Sequence, residues 1–261
     1  MSEITLSVCV DAVFNGIDTL PAMEKTKEAG YSAYEFWSWW DKNLSAIRAK
    51  QEKLGLTLSA FCTKMISLTE PYRRGAYLAG LKESISTANE LNCRVLISQV
   101  GNDTGAERKS QRASVVAGLK ESANLLEESG ITLVIEPLNT KIDHQGYYLY
   151  SSQEAFDIVH EVDSPNVKVL FDIYHQQIME GDLLRHMDNW KGIGHFHAAG
   201  NPGRHELYYG EIQYAYLFSE IYKSDYRGFV GLEYFPKDDV SKGLAYCQSI
   251  ADEAFDPHLY L

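Results

Sequence analysis

The sequence predicts an α/β fold, a (β/α)8 barrel, on three observations. Short apolar runs alternate with longer amphipathic stretches along the whole chain. The junction between them recurs: a helical pattern ends at Gly or Asn and an apolar strand follows at once. It reads Lys27-Glu-Ala-Gly-Tyr-Ser-Ala-Tyr-Glu35, Glu52-Lys-Leu-Gly-Leu-Thr-Leu-Ser-Ala60 and Glu128-Ser-Gly-Ile-Thr-Leu-Val-Ile-Glu136. Asn92 plays the same part before Arg94 to Val100. Gly suits the left-handed position after a helix because it has no Cβ to clash. Finally, eight such units in 261 residues match the size of a (β/α)8 TIM barrel.

The strands are expected at about 4–10, 32–37, 56–62, 94–100, 131–138, 167–174, 193–199 and 228–234. Helical patterns fill the gaps at about 17–29, 43–54, 72–91, 106–129, 151–162, 176–187, 214–223 and 238–252. Pro21 suits a helix's first turn. Ser151-Ser-Gln-Glu154 before an apolar run reads as a capping box. Strict strand–helix alternation implies a parallel sheet with right-handed crossovers. An open doubly wound sheet is the competing topology. It would usually carry a Gly-rich phosphate loop after the first strand, and Asp11-Ala-Val-Phe-Asn-Gly-Ile-Asp18 has no GxGxxG. No linker, low-complexity tract or charge run divides the chain, so one domain over 1–261 is expected.

At 45% hydrophobic and 23% charged, the composition is that of a globular protein with a sizeable core. Lys and Arg number 24 against 36 Asp and Glu, a formal net charge of −12. That balance repels a phosphate backbone, so no nucleic-acid partner is expected. The four cysteines, Cys9, Cys62, Cys93 and Cys247, show no CxxC spacing and read as buried reduced thiols. No apolar run approaches the roughly 18 residues needed to span a bilayer. Met1-Ser-Glu-Ile-Thr-Leu-Ser-Val8 has no basic region leading into an apolar stretch and cleavage site. A cytoplasmic protein without a membrane partner is expected.

The chemistry gathers in the second half. Ile131 to Glu136, Val167 to Asp172 and Phe229 to Glu233 each end in an acid, and His197 closes Ile193-Gly-His-Phe-His197. Burying a carboxylate is costly unless something positive receives it. In a parallel barrel the C-terminal strand ends converge on one rim, where the active site lies. Side chains alternate along a strand, so Val134 shares a face with Glu136, Leu170 with Asp172, and His195 with His197. With those faces inward, Glu136, Asp172, His197 and Glu233 meet around one divalent metal ion. Carboxylates plus an imidazole suit Mn²⁺, Mg²⁺ or Co²⁺, with Zn²⁺ allowed. A lone acid at a strand end is more often a helix cap or a salt-bridge partner; four ligand types on consecutive strands argue against that for the set. His195 lies deeper and reads as a hydrogen-bonded core histidine. His144, His160, His186, His205 and His258 show no pattern of their own.

Four segments carry a family resemblance: Ile135-Glu-Pro-Leu-Asn-Thr140, Phe171-Asp-Ile-Tyr-His-Gln-Gln-Ile-Met-Glu-Gly-Asp182, Gly194 to Glu206, and Gly231-Leu-Glu-Tyr-Phe-Pro236. In that order they resemble the hydroxypyruvate isomerase family of xylose-isomerase-like TIM barrels, which has the ketose 3-epimerases and endonuclease IV as relatives. The resemblance implies a metal held by Glu136, Asp172, His197 and Glu233, with Glu136 and Glu233 also exchanging protons with substrate. It implies that His175 and Arg204 contact substrate oxygens. Two positions depart from it. Hydroxypyruvate isomerases look to have Gln where this chain has His197; the sugar epimerases have His there. Those epimerases carry a second Glu six residues after the first, where this chain has Ile142 beside Asp143.

The reaction class follows from the same residues. Aldose–ketose isomerisation removes a proton next to a carbonyl, and a metal on the neighbouring oxygens stabilises the resulting enediolate. One carboxylate takes the proton, and it or a second returns it. Arg204 pairs with a substrate carboxylate or hydroxyl, or else bridges to Glu206 or Glu211. His175 donates to a substrate oxygen, or else steadies Asp172. Glu35, Trp37 and Lys64 are further rim candidates for substrate binding, with Trp39 and Trp40 extending an aromatic wall or simply packing beneath the loop. The substrate pair expected is hydroxypyruvate and tartronate semialdehyde, or an oxo-tetronate. Alternatives are a ketose 3-epimerase, an inositol-pathway isomerase, an endonuclease IV-like metal hydrolase and a non-catalytic sugar-binding barrel. The resemblance also implies a homo-oligomer, and the tail 251–261, with Phe255, Tyr260 and Leu261, is expected to pack on the barrel or on a neighbouring copy.

Overall fold

The computed structural model describes residues 4–254. Eight parallel strands close into a barrel in chain order, β8 returning to pair with β1. They are β1 Thr5–Cys9, β2 Ala33–Phe36, β3 Thr57–Cys62, β4 Val95–Ser98, β5 Thr132–Ile135, β6 Val167–Asp172, β7 Ile193–Ala198 and β8 Phe229–Leu232. The barrel, not the open sheet, is the topology. Phe255, Tyr260, Leu261 and His258 lie outside the described residues. Among the described residues no helix is long and apolar enough to cross a membrane.

Alternation along the strands makes two cores. Ala60, Cys62, Ile97, Val134 and Leu170 pack together inside the barrel. Their neighbours in sequence, among them Phe61, Leu96, Leu133, Ile135 and Phe171, face the helices in the larger core, as does Phe196 between His195 and His197. Phe171 and Phe196 meet edge to face at 6.0 Å there, and Phe36 stacks on Phe61 at 5.5 Å. Fully burying a ring of this size contributes about 3 kcal/mol. Because Val134 and Leu170 point inward, so do Glu136 and Asp172 two residues on, as the alternation predicts.

The connecting helices are α1 Val10–Val13, α2 Thr19–Glu28, α3 Leu44–Leu54, α4 Arg74–Leu91, α5 Arg108–Ser129, α6 Ser152–Val162, α7 Ile173–Met179, α8 Leu183–His186, α9 Tyr214–Lys223 and α10 Val240–Glu253. The left-handed stops fall where expected, at Gly55 (φ 62°), Asn92 (φ 60°) and Gly130 (φ 65°). Ser151 caps α6 by accepting from the Glu154 amide at 3.4 Å. The reciprocal half of the capping box is absent, because the Glu154 carboxylate turns to Arg108 and Tyr148.

One helix departs from expectation. The stretch 176–187 is not continuous: α7 begins directly after β6, and Gly181 (φ 65°) and Asp182 (φ 43°) separate it from α8. The early start has a local cause, since the Asp172 carboxylate accepts from the His175 amide at 3.0 Å and caps the helix. This places His175 in the first turn, against the barrel mouth.

Candidate active site

Strand register brings the four expected ligands together. Asp172 on β6 pairs with His197 on β7, and His197 pairs with Gly231 on β8, two residues before Glu233. Glu136 directly follows β5. One ligand atom from each of Glu136, Asp172, His197 and Glu233 lies within 4.8 Å of all the others, and all four residues are buried. His197 Nδ1 stands 3.3 Å from Glu233 Oε2, 3.6 Å from Glu136 Oε1 and 4.0 Å from Asp172 Oδ2.

The electrostatics are unbalanced. Burial pushes the Glu136 and Asp172 carboxyls above their usual range, and the charge of Glu233 adds to the rise in both. Burial also acts on Glu233, but the Arg204 guanidinium and His197 beside it hold that carboxyl well below its usual range. For His197 burial opposes charging, yet Glu233 and Glu35 raise its pKa well above the ordinary value. Formally, three carboxylates face one guanidinium. His197 Nδ1 is buried without a hydrogen-bond partner among the described residues. Oxygen donors, an orphaned ring nitrogen and surplus negative charge fit a divalent metal cation.

Protein donors orient one of the two proton-exchange candidates. Glu233 Oε1 accepts from Trp37 Nε1 at 2.5 Å, and Glu233 Oε2 pairs with Arg204. Arg204 sits at φ 55°, with its guanidinium 5.5 Å from the Tyr174 ring centre and 5.8 Å from that of Phe235. It bridges to Glu233, not to Glu206 or Glu211. Glu136 has no comparable clamp and lines the cavity above the cluster.

His175 is fully buried, and burial together with the Arg204 charge holds its pKa well below the ordinary value, so the ring is neutral. Its Nδ1 accepts from the Asn139 amide side chain at 2.6 Å, which leaves the proton on Nε2, 3.6 Å from Asp172 Oδ2. Asp143 in turn accepts from Asn139 at 2.6 Å and from Tyr174 at 2.9 Å. Asp143 therefore holds Asn139, while neighbouring Ile142 is 60% exposed.

A cavity of about 230 Å³ opens above the cluster. Trp37, Glu136, His175, His197, Arg204 and Glu233 line it, as do Leu138, His144, Gln99, Met65 and Phe235. Two rim expectations are corrected. Glu35 does not reach the cavity: it is 2% exposed and lies beneath the cluster, its Oε2 accepting from Ser7 at 2.8 Å, Ser59 at 2.9 Å and His195 Nε2 at 3.0 Å. Lys64 is not on the wall either, because Glu83 pairs with its ammonium group, which lies 5.5 Å from the Trp39 ring centre. Trp39 turns its indole N–H to Ser84, and Trp40 packs edge-on against Trp39, so the aromatic wall is Trp37 with Phe235. His195 is the bonded interior histidine expected. The four cysteines are buried and unpaired.

His144, Gln99, Met65 and Phe235 were not singled out by sequence. Phe235 and Asn139 lie inside two of the resembling segments and were legible there; nothing local marks His144, whose ring meets His175 edge-on at 5.2 Å.

Comparison with known proteins agrees with this fold. The family profile described as xylose isomerase-like TIM barrel matches residues 23–250. Hydroxypyruvate isomerase of Escherichia coli is 32% identical, the match covering 93% of this chain and 98% of that protein. The 2-oxo-tetronate isomerase of Cupriavidus necator is 34% identical over 83% of this chain and 87% of its own. Among solved structures, a Brucella melitensis protein described as an AP endonuclease of family 2 superposes with a TM-score of 0.90 at 30% identity, covering 94% of this chain and 98% of that one. The chain belongs to the xylose isomerase-like TIM barrel family, and within it to the hydroxypyruvate isomerase family.

Proposed function

We propose that this protein is a metal-dependent isomerase that interconverts a small α-hydroxy aldehyde and a ketone, with a keto acid of the hydroxypyruvate or 2-oxo-tetronate type as substrate. The observation that carries the reading is the convergence of Glu136 and Glu233 on one buried cluster at the floor of a small cavity. Names of relatives on both sides of that substrate class support it.

Glu136, Asp172, His197 and Glu233 would hold the cation, which supplies Lewis acidity for the negative charge that develops on the substrate oxygens. Glu136 and Glu233 flank the cluster from β5 and β8 and are the groups that take and return the proton next to the carbonyl. Trp37 and Arg204 keep the Glu233 carboxylate ionised and aimed. Neutral His175, with its proton on Nε2, donates to a substrate oxygen. Arg204 is the one arginine or lysine on the described cavity wall, and its planar fork suits it to the carboxylate of a keto acid. Three carboxylates and one guanidinium leave two formal negative charges. A divalent cation cancels them, so a monoanionic substrate is not repelled.

The test is incubation with Mn²⁺ in D₂O, followed by NMR. Hydroxypyruvate is expected to gain deuterium at its hydroxymethyl carbon and to interconvert with tartronate semialdehyde. Inversion at carbon 3 of a ketohexose, with no turnover of keto acids, would instead favour the epimerase reading that His197 leaves open. Exchange in neither substrate class would remove the isomerase proposal.

A further inference from the structure

We infer that Glu35 is a positioning residue for His197: it keeps a proton on Nε2, so that Nδ1 is the nitrogen that faces Glu136, Asp172 and Glu233 and that gives up its proton when a cation binds. The inference rests on the proposed cation site.

The imidazole of His197 stands between two sets of acids. Its Nδ1 edge faces the cluster at 3.3 to 4.0 Å. Its Nε2 edge faces Glu35 Oε1 at 3.0 Å. A histidine can bind a cation through one nitrogen only if that nitrogen is free of its proton, and the partner of the other nitrogen decides where the proton sits. Glu35 Oε1 and His197 Nε2 are buried 3.0 Å apart, and neither has a hydrogen-bond partner among the described residues. A carboxylate oxygen accepts and cannot donate, so the proton between them belongs to the ring.

Glu35 is itself held. Ser7 from β1, Ser59 from β3 and His195 from β7 all donate to its Oε2. This locks the carboxylate and leaves Oε1 for His197. Gly231 on β8 makes the room. A Cβ there would fall 2.3 Å from Glu35 Oε1 and 2.7 Å from His197 Cδ2, so a side chain at 231 and this contact exclude each other. Although Glu35, His195 and His197 converge closely enough to bind an ion of their own, Glu35 Oε2 and His195 Nε2 are already spent on each other. The group is therefore a support for the site above it.

The test is calorimetric titration of Mn²⁺ into the wild-type protein, Glu35→Ala and Gly231→Ala, with thermal melts to confirm folding. Loss of such a partner typically weakens metal binding about 10- to 100-fold, and that range is expected for both variants. A folded Glu35→Ala that binds Mn²⁺ with wild-type affinity would overturn the inference alone. A wild-type protein that binds no Mn²⁺ would take down the cation site and this inference with it. Should the variants not fold, ¹⁵N NMR of histidine-labelled wild-type protein with Zn²⁺ decides. The result expected is a proton on His197 Nε2 and none on Nδ1; the reverse would refute the role of Glu35.

Discussion

Glu136→Gln and Glu233→Gln are each expected to lower turnover by on the order of 10²–10⁴-fold while leaving the barrel folded. Each substitution keeps the shape of the side chain and removes the group that accepts the proton. The two variants should differ in stability, and the difference is informative. Glu136 is a buried carboxylate whose neighbours Glu233 and Asp172 disfavour its charge. Neutralising it relieves repulsion, so the cation-free variant should melt no lower than the wild type. Glu233 is the ion-pair partner of Arg204. Removing its charge leaves a largely buried guanidinium short of its partner, a change that costs about 3–5 kcal/mol in buried pairs. Initial rates and thermal melts on the two variants check both statements. Near-normal turnover in either variant would end the two-carboxylate mechanism, whatever its stability.

Adding Mn²⁺ to cation-free protein is expected to raise its melting temperature, and a chelator to reverse the gain. At about 100 times the dissociation constant, ligand binding stabilises by about 2.7 kcal/mol. For a chain of this size that corresponds to roughly 5–10 °C. The gain should grow with pH. The Glu136 and Asp172 pKa values are raised in the folded state, so between the unfolded carboxylate range and those raised values the folded protein holds more protons. Stability of the cation-free protein therefore falls as pH rises through that window. The His197 pKa is also raised, so its contribution is full below the unfolded histidine value and is lost as pH rises through the folded one. Glu233 acts in the opposite sense: its contribution is present above the unfolded value and lost only as pH falls through its depressed one. A cation replaces the protons these groups lose, and its affinity rises as they leave. Melts across pH with chelator and with Mn²⁺ measure this. Identical curves would show that the cluster takes no cation.

The barrel and the convergence of the four side chains were legible because both rest on periodicity. Inward Val134 and Leu170 dictate inward Glu136 and Asp172, and the parallel register then places His197 and Glu233 beside them. Depth was not legible. Glu35 lies inside β2, one residue before its end, while Glu136 follows β5, and the Glu35 carboxylate meets Ser7, Ser59 and His195 below the rim. Nothing within Tyr34-Glu35-Phe36 states how far the neighbouring strands extend past it. The direction of a long flexible side chain was equally hidden. Lys64 follows β3 toward the rim, but Glu83 on α4, distant in sequence, claims its charge. The division of 176–187 into α7 and α8 did have a signal, Gly181 followed by Asp182, which the apolar spacing on either side obscured. His144 reaches the cavity from a loop, where no period reports orientation.

The most direct measurement is anomalous diffraction from a crystal soaked in Mn²⁺. A single peak is expected within bonding distance of the Glu136, Asp172 and Glu233 carboxylates and of His197 Nδ1. A peak elsewhere with none among those four groups would contradict the cation-centred site and every step assigned to it.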